Sequence, residues 1–431
     1  VDSEVMLGLL ASRGYEMIDD EQEADIIVVN TCCFIHDAKQ ESVDNILEMA
    51  EYKKTGKLKA LIVTGCLAER YRQEIIDEIP EVDAVLGTTE YDKILDAVDE
   101  ALEGKHFLEM EDLQALPVVD TKRQITTGGH FAYMKIAEGC DKHCTYCIIP
   151  KIRGTYRSVP MEQLIKEAEE LAAQGVKELI LVAQETTLYG KDLYGEKSLH
   201  KLLKELCKVS GIQWIRILYC YPEEITDELI QVIKEEPKIC HYLDLPIQHA
   251  NDEILKRMGR RTSKQELIDI VTKLRKEIPD ICLRTTLITG FPGETEEQHQ
   301  ELVEFVDEME FDRLGVFTYS PEEDTPAATM SDQIDEEVKL ERQAELMELQ
   351  QEIAFDTAEK MIGREMLVMI EGKIADEPAY VGRTYRDAPK VDGLIFVETG
   401  ELLMSGDFAK VTVTGAEEYD LIGGLTNELT E

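Results

Sequence analysis

The sequence contains no run of 18 apolar residues, so no segment of it reads as a membrane-spanning helix. Positive charge is scarce: 46 Lys and Arg stand against 89 Asp and Glu, a formal −43 over 431 residues. Non-specific nucleic-acid binding draws on Lys and Arg neutralising phosphates, so this balance argues against RNA or DNA as the main partner and favours a basic one. Acidic residues that merely solvate the surface account for the charge equally well. There is no internal repeat and no low-complexity tract, and the first twenty residues, polar and acidic, lack the apolar core of a signal peptide. The expectation is a cytoplasmic enzyme, long enough for two or three domains.

What the chain does have is cysteine, ten in all. Several lie in cluster-like settings, which points to a reducing compartment, because disulfides would compete for the thiols. Three of them run Gly139-Cys140-Asp141-Lys142-His143-Cys144-Thr145-Tyr146-Cys147, a C-x3-C-x2-C pattern directly after the apolar stretch 133–137. Three thiolates this close suit three corners of a [4Fe–4S] cube and leave the fourth iron open to bind and activate something. A structural zinc site is the weaker alternative: it wants four ligands, and His143 sits awkwardly beside Cys144. Two further cysteines end apolar strands, Cys32 after 26–31 and Cys66 after 61–64. Thiols at adjacent strand ends of one parallel sheet can converge on a metal, although buried cysteine is common as a small hydrophobe.

Apolar and amphipathic stretches alternate throughout. Residues 1–103 offer strands at 25–30, 60–64 and 83–86 with helices at 43–52 and 69–79, which predicts a small parallel α/β domain. Residues 104–130 read as a linker. From 131 to 360 six strands (133–137, 178–183, 214–219, 242–247, 282–289 and 314–319) alternate with helices, too few for a closed eightfold barrel. An open (β/α)6 partial barrel fits, with its active groups at the carboxyl ends of the strands. A charged helix over 335–361 leads to short strands at 366–370, 394–397 and 408–413, so residues 362–431 predict a small β-barrel.

The C-x3-C-x-aromatic-C run after a first barrel strand resembles the radical S-adenosylmethionine (SAM) enzymes. The resemblance implies that SAM chelates the open iron of a cluster held by Cys140, Cys144 and Cys147, and is cleaved to a 5′-deoxyadenosyl radical. Tyr146 falls on the aromatic position near the adenine. Asn30-Thr31-Cys32-Cys33-Phe34-Ile35 and Gly65-Cys66-Leu67, upstream of that motif and of a TRAM-type barrel, resemble the methylthiotransferases over nearly the whole chain. That family implies a second, sulfur-delivering [4Fe–4S] cluster with Cys32 and Cys66 among its ligands. Its first cluster cysteine lies in a G-C-x-K-N segment just before V-D-S-E, whereas this chain starts at Val1-Asp2-Ser3-Glu4. The N-terminal domain is therefore expected to be truncated, with its first strand missing and the second cluster incomplete. Cys33 sits where the family has a small residue.

SAM contacts follow superfamily positions: Gln184 and Glu185 at the end of the second barrel strand, and Ile288, Gly290 and Glu294 in Leu287-Ile-Thr-Gly-Phe-Pro-Gly-Glu-Thr295. Alone, Gly-Phe-Pro-Gly is an ordinary turn. Arg284 either pairs a carboxylate of a ligand or forms a structural ion pair. Segments 243–250, 312–315, 319–323 and 382–389 resemble the branch that modifies an aspartate β-carbon in the twelfth protein of the small ribosomal subunit. The last 70 residues carry 6 Lys and Arg against 14 Asp and Glu, a net −8, which suits a basic ribosomal protein better than RNA. The partners implied are that protein, on the ribosome, and an external electron donor. Lys256, Arg257, Arg260 and Arg261 form the clearest basic cluster, usually a solvated helix end and otherwise an RNA contact. His249 is the histidine best placed to approach the site, and a satisfied structural role is the plainer reading. The rival functions are tRNA adenosine methylthiolation and non-catalytic iron–sulfur electron transfer.

Overall fold

The computed structural model of the chain describes residues 1–109, 113–115 and 123–427, which gather into two units. The first comprises residues 1–126, 135–164 and 320–330; the second comprises 127–134, 165–319 and 331 onward.

In the first unit, β1 (Ile26–Thr31), β2 (Ala60–Gly65), β3 (Ala84–Leu86) and β4 (Phe107–Glu109) form a parallel sheet in that order. β2 is buried along its whole length, as a central strand covered on both faces must be. Ile46 and Ala50 of the helix His36–Thr55 pack on one side. Val5 and Met6 of Asp2–Ser12, with Ile94 and Val98 of Ile94–Leu102, cover the other. Two expectations are corrected. β4 lies inside the stretch read as a linker, where three residues are too few to declare a period; residues 110–112 and 116–122 of that stretch lie outside the described residues. The single helix expected over 69–79 is two, Cys66–Tyr71 and Gln73–Glu78, parted at Arg72, whose φ of 47° no helix accommodates.

β5 (Phe131–Lys135) leads the chain from the second unit back to the first, where β6 (Ala137–Glu138) and β7 (Arg157–Ser158) pair antiparallel and clasp the loop carrying Cys140, Cys144 and Cys147.

In the second unit, β8 (Glu178–Val182), β9 (Trp214–Ile217), β10 (Ile239–Asp244), β11 (Cys282–Thr289) and β12 (Arg313–Thr318) pair in parallel, each beside its successor. With β5 they make one six-stranded sheet, β12-β11-β10-β9-β8-β5, the open partial barrel that the strand count requires. The helix Glu336–Glu359 then leads to a closed barrel of β13 (Glu365–Lys373), β14 (Ala379–Thr384), β15 (Ile395–Glu398), β16 (Phe408–Glu417) and β17 (Asp420–Leu425). Three strands were expected there. β14 and β17 escaped because their glycines, Gly382, Gly423 and Gly424, interrupt the apolar alternation.

This small barrel is fastened to the amino halves of the parallel strands. Glu178, at the start of β8, takes Arg216 Nε at 2.8 Å on one carboxylate oxygen and Arg383 Nη2 at 2.6 Å on the other. All three side chains are buried, and each arginine also donates to a backbone oxygen of the β14–β15 loop: Arg216 to Tyr385 and Arg383 to Asp387. Arg313 pairs with Asp387 at 2.6 Å, and Arg386 pairs with Asp312. Trp214 meets Phe408 edge-on, with ring centroids 4.9 Å apart.

Candidate active site

The cysteine loop in the first unit is built around a glycine. Gly139 has φ 81°, and a Cβ there would collide with the backbone oxygen of Thr155. The loop is then fixed by Cys140 N–H donating to the Gly154 oxygen at 3.1 Å, Cys147 N–H to the Cys144 oxygen at 3.0 Å, and Ala327 N–H to the Thr145 oxygen at 2.9 Å. Cys140 and Cys144 are buried, Cys147 and Tyr146 half-buried. Burial pushes the Cys147 thiol up to about 12, and Cys144 and Cys140 push the same way, so the three sulfurs lie within electrostatic reach of one another. Among the described residues no three His, Cys, Asp or Glu side chains meet on a single ion. A cube places each thiolate on its own iron, so its ligands need not converge on a point. Three sheltered thiols on a stiffened loop therefore fit the cluster, and must shed their protons when it loads.

The second cysteine set is also in the first unit. The parallel register aligns Thr31 with Gly65, so Cys32 and Cys66 leave neighbouring strands at the same level. Gly65, with φ 95°, allows the turn: a Cβ would strike the Thr31 oxygen. Thr31 Oγ1 ties the two ends, donating to the Thr64 oxygen at 2.6 Å and accepting Leu67 N–H at 3.2 Å. Cys32 is exposed, its N–H and oxygen both bonded to the Ser42 hydroxyl. Cys33 turns the other way, wholly buried in the apolar cluster behind β2. Burial, and then the neighbouring Cys66, push its thiol up to about 12 against the opposing Arg70.

One residue joins the two cysteine segments, and the sequence reading missed it. Arg153 ends the short helix Ile149–Arg153 after the Cys147 loop, and its Nη2 donates to Cys66 Sγ at 3.4 Å. Its Nη1 faces Glu138 at 3.4 Å and Asp2 at 3.5 Å, while Lys135 meets Glu138 at 2.7 Å and Asp2 on its other side. Burial pushes the Glu138 and Asp2 carboxyls up, but the two cations more than reverse it and hold both below the usual range. No local pattern could announce a contact across 87 residues.

The other candidates lie in the second unit. Gln184 and Glu185 follow β8; Glu185 is fully buried with the Thr187 hydroxyl on its carboxylate. Arg284, Thr286 and Ile288 alternate as the half-open face of β11. Arg284 pairs with Asp244 at 3.1 Å and with Asp392 of the β14–β15 loop at 3.5 Å, the structural ion pair weighed above. Glu294 is buried beneath its turn, not at an open face. It accepts Gly290 N–H at 3.1 and 3.2 Å, His249 Nε2 at 3.2 Å and Arg342 Nη1 at 2.8 Å. Burial raises its carboxyl, and His249, Gly290 and Arg342 together bring it below the usual range. His249 also accepts Asn251 N–H at 2.9 Å, so it is a satisfied structural histidine. Of the basic cluster, Arg257 is paired with Asp332, and Arg260 donates to the Pro246 oxygen and lies over the Tyr221 ring; Lys256 and Arg261 are exposed.

Two strained residues at strand ends also went unread. Tyr219 after β9 has φ 57° and Gln248 after β10 has φ 71°. Such backbone costs a bulky side chain of order 1–2 kcal/mol.

By fold and by its cysteine loop this is a radical SAM protein: residues 134–306 match the radical SAM superfamily, residues 1–87 the uncharacterized protein family UPF0004, and residues 362–425 the TRAM domain. The structure of the radical S-adenosylmethionine methyltransferase TsrM from Kitasatospora setae, with cobalamin and a [4Fe-4S] cluster bound, shares the fold. Its TM-score is 0.55 over 76% of this chain and 73% of that one, at 15% identity. The chain is 67% identical to ribosomal protein uS12 methylthiotransferase RimO of Lachnoclostridium phytofermentans, covering 98% of this chain and 96% of the relative. It is 51% identical to RimO of Clostridioides difficile, covering 100% and 96%. The chain belongs to the RimO family of methylthiotransferases, enzymes that depend on SAM and [4Fe–4S] clusters. Among the described residues no helix is long and apolar enough to cross a membrane.

Proposed function

We propose that this enzyme transfers a methylthio group to the β-carbon of an aspartate in ribosomal protein uS12. The observation that carries this is 67% identity to a uS12 methylthiotransferase over almost the whole of both chains, joined to a sheltered three-cysteine loop. The target C–H has no leaving group, and the adjacent carboxylate discourages deprotonation, so a cofactor must supply the hard step. When bound, SAM and the clusters supply an electron, a hydrogen-abstracting radical and transferable sulfur.

The chain's own residues would hold and shelter these groups. Cys140, Cys144 and Cys147 would anchor the SAM-cleaving cluster, and Tyr146 would lie near the adenine of SAM. Cys32 and Cys66 are ligands of the second, and Arg153 keeps Cys66 next to the first loop. Gln184, Glu185 and Ile288 would contact SAM, as their superfamily positions imply; Glu294 fixes the Gly290 turn from beneath, and Arg284 is set by its two carboxylates. In this reading residues 1–103, 131–360 and 362–431 are the sulfur-delivering, radical and substrate-docking segments. The enzyme works in the cytoplasm on the ribosome, fed by an external electron donor. Mass spectrometry of ribosomal proteins and tRNA nucleosides from cells lacking the native enzyme and supplied with this one tests it. A methylthio mark is expected on a uS12 aspartate and none on adenosine; the reverse pattern sinks the reading.

A further inference from the structure

One of the two strained strand-end residues of the open barrel carries an exposed ring. Tyr219 stands two residues beyond β9 with φ 57°, the only Phe, Tyr or Trp among the described residues with a left-handed backbone. Asp244 Oδ2 accepts its N–H at 3.0 Å, Thr186 N–H donates to its carbonyl oxygen at 3.0 Å, and the Thr186 hydroxyl is shared between that oxygen at 3.1 Å and the Leu218 oxygen at 2.7 Å. Thr186 is 0% exposed and Asp244 3%, yet the side chain they aim is 48% exposed. Glycine or asparagine would hold this backbone with little or no strain. A buried carboxylate and a buried hydroxyl instead hold a tyrosine whose ring adds little to the core. Strain retained in this way is a mark of function.

Its position says which function. Thr186 directly follows Gln184 and Glu185, and the second oxygen of Asp244 holds Arg284 at 3.1 Å. Tyr219 is thus wired to the loop after β8 and to the last residue of β10, on the carboxyl side of those two strands, where barrels of this kind present their ligands. We propose that Tyr219 is a substrate-contacting residue: its ring is the platform against which the uS12 segment carrying the target aspartate lies. The proposal rests on the methylthiotransferase reading above. Tyrosine suits a peptide because it offers a large amphipathic contact at small entropic cost. Nucleobases also stack on such rings, but a chain of net charge −43 repels their phosphates.

The test uses the full-length, cluster-loaded enzyme and a synthetic peptide spanning the target aspartate of uS12. Tyr219→Gly and Tyr219→Asn keep the left-handed backbone without the ring. Both should unfold at or above the wild-type midpoint and form 5′-deoxyadenosine from SAM alone within about twofold of wild type, while KM for the peptide rises about tenfold or more. Tyr219→Phe should stay within about threefold of wild type in peptide KM, since the ring is kept. An unchanged peptide KM in the Gly and Asn variants overturns the proposal. So does a parallel loss of peptide-free SAM cleavage, which would put the ring on the cofactor side. A wild-type enzyme that cleaves SAM but leaves the peptide unmodified overturns the substrate reading itself, and this proposal with it.

Discussion

Arg153 works at close quarters with groups that are poor neighbours for one another: two carboxylates and a thiol that must become a thiolate. Without it, Glu138 and Asp2 share the single cation of Lys135. Arg153→Gln is expected to destabilise the cluster-free protein by about 3 kcal/mol, because removing one member of a buried pair strands the other. Urea unfolding followed by circular dichroism reads it, and a loss below about 0.5 kcal/mol, the scale of an exposed pair, would show that the network is not holding the segment. At the cysteines the expectation is sharper. Cys144→Ala should reduce 5′-deoxyadenosine formation to background with Cys32 and Cys66 untouched; undiminished cleavage would remove the loop from the SAM-cleaving role. The Cys140–Cys147 spacing was legible because its ligands are close in sequence. Arg153, Asp244 and Tyr219 were not, because their partners are brought to them only by the packed strands.

Among the elements, the longer apolar strands were readable: β2, an unbroken apolar run, and β11, whose burial alternates, lie where those patterns put them. The misses have separate causes. β4 is too short, β14 and β17 are interrupted by glycine, and the break at Arg72 depends on a φ that no residue type declares. The helix Glu296–Met309 matters to the site because its N-cap follows Glu294 directly. Thr295 Oγ1 accepts Gln298 N–H at 3.3 Å, and Gln298 Oε1 accepts Thr295 N–H at 2.9 Å, a reciprocal cap that fixes where the turn ends. Thr295→Ala should cost about 1 kcal/mol in thermal or urea unfolding. Thr295→Ser, which keeps the hydroxyl, should recover most of it.

For the molecule as a whole, the fastening of the small barrel to the parallel sheet is electrostatic at its centre and should therefore respond to acid. Burial raises the Glu178 carboxyl, but Arg216 and Arg383 more than reverse this, leaving it below its usual 4.5. A depressed carboxylate lends stability above the unfolded value and loses it as pH falls through the folded one, so the attachment should weaken only below about pH 4.5. The chain's one tryptophan, Trp214, sits on Phe408 of the small barrel and reports the event. Its emission in the cluster-free protein should be steady above pH 5 and shift to the red on further acidification. Glu178→Gln should bring that shift to neutral pH. A transition centred well above pH 5 would show that Glu178 is not the group responsible. The β14–β15 loop reaches the sheet through Tyr385, Arg386, Asp387 and Asp392. Its Asp392 accepts the Tyr242 hydroxyl at 2.7 Å and faces Arg284, so the small barrel furnishes part of the larger one's interior. Its sequence is thus not free to drift with the taste of a docking partner alone. A chimaera that borrowed a foreign terminal domain would inherit a new exterior and forfeit part of its own inner wall, unless residues 384–392 stayed behind.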